Sequence, residues 1–130
     1  MLAPNIRGST GYGVSYQKLI HRDWGGAELS DIEHAAKYLR TLDWVDAIVS
    51  RCSAASAVTT LSAVTRLPQY WACAVDIVGP SNLLTFVKSV PPHWRPMMKE
   101  WVGDAEEDHA MLVERSPITY ASIKSACRCW

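Results

Sequence analysis

The sequence predicts an α/β fold: about three parallel strands flanked by helices. Three observations predict it. The stretch "YWACAVDIVGP" is continuously apolar and β-branched at its end, as suits a strand buried on both faces of a parallel sheet. The stretch "AELSDIEHAAKYLRTL" carries apolar residues at helical spacing. Strand-like and helix-like segments then alternate along the chain, and such alternation favours parallel pairing through helical crossovers.

The elements follow in order. Residues 2–6 are a first short strand candidate, and "YGVSYQKLIHR" reads as a short helix. "DWGG" is a turn whose two glycines permit unusual backbone angles. In residues 27–42, Leu29, Ile32, Ala36, Tyr38 and Leu39 form the predicted buried stripe, with Glu33 and Lys37 four apart on the other face. Residues 45–49 are the second strand candidate. "SAVTTLSAVTRLP" reads as a helix stopped by Pro68, and residues 71–77 as the third strand. "SNLLTFVKSV" is a helix capped by Ser81 or Asn82. "PPHWRP" breaks the chain before helical stretches at 97–102 and 106–115, and Ser116-Pro117 makes a turn.

Bulk properties narrow the function. The chain has 130 residues, enough for one domain or part of one. Thirteen basic side chains balance thirteen acidic ones, so no nucleic-acid or anionic-membrane partner is expected. The longest apolar runs fall well short of the about 20 residues that span a bilayer. "MLAPNIRG" lacks the cationic start and apolar core of a signal peptide, so the expected location is cytoplasmic. The four cysteines are then expected to be reduced thiols. Two of them form an isolated "CRC", which lacks the repeated C-x2-C and histidine spacing of zinc sites. No metal or cofactor is expected.

The segments "NIRGSTGYG", "HRDWGGAELSDI", "TRLPQYWACAVDIVGPSNLLTFVKSVPPHW" and "WVGDAEEDHAMLVERSPITYAS" together resemble the catalytic domain of the prolyl oligopeptidase family. The resemblance is closest to its bacterial aminoacyl- and dipeptidyl-peptidase members. It implies a partial α/β-hydrolase fold and a serine peptidase that takes short peptides. It also implies that the triad aspartate and histidine follow beyond Trp130, and that a second oxyanion donor precedes Met1. The expectation is therefore a partial catalytic domain over residues 1–130, with 47–59 and 126–130 departing from the family pattern.

The resemblance places the family's nucleophile within "DWVDAIVSRCSAASAVTT". Such a serine sits on a strained strand-to-helix turn, G-x-S-x-G, where close packing excludes side chains at the flanking positions. Counting from Asp46 puts it at Ser56, with Ala54 and Val58 in the glycine slots, whereas counting back from Leu61 puts it at Ala54, so the stretch is also shorter than the family pattern. Ser53 is a weaker candidate, with Arg51 and Ala55 in those slots. Both lack the glycines, so the chain is expected to be inactive. An out-of-frame stretch would account for the loss, because codons for Cys52 to Ala55 can spell Phe-Gly-Gly when read two bases later.

Other side chains have weaker signals. Arg7 and Tyr12 match a family loop at the edge of the cleft, and His93 and Trp94 lie on a plausible cleft loop. His21, His34 and His109 read as surface residues. Asp76 needs a partner if buried and is expected to find one within the fold. The tryptophans Trp24, Trp44, Trp71, Trp94 and Trp101 are expected to be core or interface anchors. A different kind of role remains open: an interaction module using exposed sheet edges and the 91–96 loop. Open parallel edges also lead us to expect self-association.

Overall fold

The computed structural model describes residues 1–46, 51–54, 58–121 and 128–129. Among the described residues six α-helices precede or flank the sheet: α1 (Val14–Lys18), α2 (Glu28–Arg40), α3 (Val58–Arg66), α4 (Leu83–Ser89), α5 (Arg95–Trp101) and α6 (His109–Arg115). The strands are β1 (Arg51–Ala54), β2 (Cys73–Asp76) and β3 (Arg128–Cys129). They run parallel in the order β1-β2-β3, with Arg51 opposite Cys73 and Ala54 opposite Asp76.

The sheet is small and parallel, but two of its strands are not those expected. Residues 2–6 are not a strand. Asn5 instead ties this segment to its own loop: its carbonyl accepts from the Tyr16 hydroxyl at 2.9 Å, and its amide donates to the Tyr12 hydroxyl at 2.6 Å. Val45 closes a turn in which its amide donates to the Leu42 carbonyl at 3.1 Å, residue 46 is in neither helix nor strand, and residues 47–49 lie outside the described residues. The strand in this region is β1, which begins at Arg51. The third strand comes from the tail, at Arg128–Cys129. β2 lies within the expected 71–77, with Ala74 buried and its neighbours half-buried.

The core has two parts that meet on α3. Leu29 and Ala36 of α2, Ala63 and Val64 of α3, Trp71 and Ala74 form one. Val58, Leu83, Val87, Val90, Met98, Val102 and Leu112 form the other. Tyr38, expected in the stripe of α2, is 57% exposed. It lies at the edge of a stripe that Leu29 and Ala36 already fill. Trp71 alone among the five named tryptophans is buried, and Trp44 is 74% exposed.

Asn82 caps α4, its side chain accepting from the Thr85 amide at 3.2 Å. Buried Ser116 links two helices. Its hydroxyl donates to the Leu112 carbonyl at 2.6 Å and accepts from the Leu83 amide at 2.9 Å. Ser116→Ala leaves that buried amide unpaired, an expected cost of about 1–3 kcal/mol. A urea unfolding midpoint unchanged from the parent would contradict this role.

Candidate active site

The candidate turn lies at the carboxyl end of the parallel sheet, where open α/β sheets place their ligands. β1 ends at Ala54 and α3 begins at Val58, so three residues join strand to helix. Ser56 is the middle one, and residues 55–57 lie outside the described residues. Ser53 is a strand residue, opposite Val75 in the ladder. An elbow nucleophile belongs on the turn rather than within the strand.

Val58 opens α3 with 4% exposure and packs into the second core cluster. A β-carbon on Gly25 would meet the Val58 side chain at 3.6 Å and the Arg115 carbonyl at 2.7 Å. Gly25 therefore has both a left-handed backbone, φ 75°, and no room for a side chain. Under the count that puts the nucleophile at Ser56, the slot expected to hold glycine falls on this buried branched residue, Val58.

Next to this junction sits a group that sequence reasoning missed. Glu28 is 1% exposed and accepts from the amides of Gly25 at 2.5 Å and Gly26 at 3.0 Å. It lines a cavity of about 80 Å³ with Ile20, Trp24, Val58 and Thr59. Burial pushes its carboxyl above the usual range, and the backbone amides pull partly the other way. The only signal in the sequence is an acid two residues after "GG". That also describes an ordinary first-turn helix acid.

Asp76 ends β2 opposite Ala54. Its Oδ1 is buried and has no hydrogen-bond partner among the described residues, so the expected internal satisfaction is incomplete. Burial pushes its carboxyl above the usual aspartate range, opposed by a backbone hydrogen bond from Gly79. Two residues on, Val78 has a φ of 63° and is 92% exposed. A left-handed β-branched residue is strained by roughly 1–3 kcal/mol, and such strain clusters at functional edges. Cys52 on β1 is half-buried, and desolvation pushes its thiol up, away from nucleophilic use.

The four cleft-loop candidates fall in two separate pairs. Arg7 grips Asp31 of α2 with two guanidinium contacts, at 2.8 and 2.7 Å, and with its amide at 3.0 Å. Its cation is committed to holding the loop. Tyr12 is exposed, with its ring 5.4 Å from Tyr16. His93 and Trp94 lie on a 3-10 turn, Pro92–Trp94, with rings edge to face at 6.2 Å. Among the described residues, no hydrogen bond or ring contact joins the two pairs. Of the other histidines, His21 is partly covered, 3.9 Å from Glu100 and beside Trp101. His34 contacts the Ser30 carbonyl of its own helix, and His109 is exposed.

The Arg7 hydrogen bonds hold the Asp31 carboxyl below the usual aspartate range. Its contribution to stability is present above the unfolded value and is lost as pH falls through the lower folded value. Asp31→Asn should therefore flatten the acid side of a stability profile below about pH 4. An acid limb as steep as the parent's would contradict it.

A family model described as "Prolyl oligopeptidase family" matches residues 1–127, and the chain belongs to that family. It is 34% identical to dipeptidyl aminopeptidase BIII of Pseudoxanthomonas mexicana, over 93% of this chain and 19% of that protein. It is likewise 34% identical to dipeptidyl peptidase family member 6 of Caenorhabditis elegans, over 93% of this chain and 17% of that protein. The chain thus spans about a fifth of these relatives' length. Among solved structures, a puromycin-hydrolyzing peptidase of Mycobacterium tuberculosis superposes with a TM-score of 0.84 at 28% identity. The match covers 96% of this chain and 19% of that one. The fold is therefore that of part of an α/β-hydrolase peptidase. No helix among the described residues is long and apolar enough to cross a membrane.

Proposed function

We propose that these 130 residues carry part of a serine peptidase catalytic domain that takes short peptides, and that as a polypeptide they do not hydrolyse them. Family membership supports the first half. One observation carries the second: Val58, in a slot that the elbow needs for glycine, is buried in the core at the first residue of α3. A serine is thrust out of a cramped turn only when its neighbours lack bulk. Nucleophile, base and oxyanion donors must also meet for hydrolysis to occur. The substrate class, a peptide with its scissile bond near one end, is read from the relatives' names. Arg7, Tyr12, His93 and Trp94 are proposed as loop residues bordering that cleft in the whole enzyme. The cytoplasmic location remains part of the same proposal.

A fluorophosphonate probe tests it. Purified chain is expected to stay unlabelled, whereas covalent adduct at Ser56 or Ser53 by mass spectrometry would reverse the reading. The alternative role as an interaction module has one observation in its favour. β1 lies at the sheet edge, and Ile77 and Val78 beyond β2 expose 53% and 92% of their surfaces. Concentration-dependent self-association by sedimentation would favour that role.

A further inference from the structure

Away from the turn, α4, α5 and the 103–106 loop enclose a groove of about 550 Å³, within the size range of small-ligand sites. Its apolar floor includes Val87 and Met98, both nearly buried, and Ala105. Its rim is charged but unevenly committed. Lys99 is taken up by Asp104 at 3.4 Å and Glu107 at 2.9 Å. Asp104 also accepts from the amides of Glu106 and Glu107 at 2.9 and 3.3 Å. Lys88 and Arg95, both exposed, have no ion-pair or hydrogen-bond partner among the described residues.

We propose that this groove binds the C-terminal end of a peptide whose last residue is apolar. Lys88 and Arg95 would pair with the terminal carboxylate while the last side chain covers Val87 and Met98. Two uncommitted cations beside an apolar floor match that end of a chain in both charge and polarity. A guanidinium also pairs with a carboxylate through two parallel hydrogen bonds. Glu106, the one lining acid without a side-chain partner among the described residues, reduces the excess of positive charge. The lining then has three cations against two carboxylates, which suits a monoanion better than a phosphate. The site is independent of Ser56 and involves no bond making.

Calorimetric titration of the full chain with acetyl-glycyl-alanyl-leucine, as the free acid and as its C-terminal amide, tests the proposal. The acid should bind at least about fivefold tighter at low salt, as expected for a partly exposed charge-assisted contact. Lys88→Ala with Arg95→Ala should bring the acid down to the amide's affinity. Both residues are exposed and unpaired, so the double variant should keep the parent's circular dichroism and melting temperature. Glu106→Gln should strengthen acid binding and leave the amide unchanged. Equal binding of acid and amide, an absence of saturable binding, or a preference that survives the double substitution would each overturn the assignment. Displacement by inorganic phosphate at lower concentration than by the acid would overturn it as well.

Discussion

Leu112→Ala is expected to destabilise the fold by about 3–5 kcal/mol, near the upper end for a leucine truncation. Leu112 has no exposed surface and packs in the cluster that joins α4, α5 and α6 to the start of α3. The site resists collapse. Leu83 of α4 and Val102, just past the end of α5, belong to the same cluster and are each 1% exposed. The Leu112 carbonyl also holds Ser116, which in turn holds the Leu83 amide. A cavity at Leu112 therefore loosens a hydrogen-bonded junction as well as an apolar contact. Domains of ordinary stability have about 5–15 kcal/mol in all, so this one change should remove a large share. Urea unfolding followed by circular dichroism reads it directly. A loss below about 1 kcal/mol would mean that the second cluster is not a load shared across these helices.

Glu28→Ala is expected to cost about 2–4 kcal/mol, because two buried amides, those of Gly25 and Gly26, lose their acceptor together. Glu28→Gln keeps one acceptor oxygen but turns its NH2 towards the other amide, so it should recover only part of that cost. The pH dependence has a definite sign. Burial raises the folded carboxyl above its unfolded value, so the folded state holds a proton that the unfolded state has released. Stability linked to Glu28 is then greatest at low pH and declines as pH rises through the unfolded value towards the folded one. Glu28→Gln should remove that decline. The slope is opposite to that of Asp31, whose carboxyl is held low by Arg7. A Gln variant whose stability still falls over that window would show that Glu28 is not its source.

The helices were the legible part of this fold. The stripe through Leu29, Ile32 and Ala36 located α2, and the cap residue Asn82 located α4. Both signals are local, and tertiary packing reinforces them. The strands were less legible. β1 is "RCSA", which has no β-branched residue; it is a strand because β2 offers it a ladder partner. Strand preference depends strongly on such context. The apolar run at 45–49 looked more like a strand and precedes it. The tail contributes β3, a strand the sequence reading did not expect there. At the candidate site, the resemblance supplied an expected position for the turn, and residues 55–57 lie outside the described residues. Glu28 was not readable, since its burial depends on Gly25 and Gly26 folding back over it. Arg7 was readable as a loop residue, but its commitment to Asp31, twenty-four residues away, was not.

The most direct test of the central claim is turnover of a dipeptidyl chromogenic amide by the purified 130-residue chain, set beside its Ser56→Ala variant. The account predicts no release above background by either protein. Release by the parent that the Ser56→Ala substitution abolishes would contradict it, since a working serine would then stand beside a buried valine.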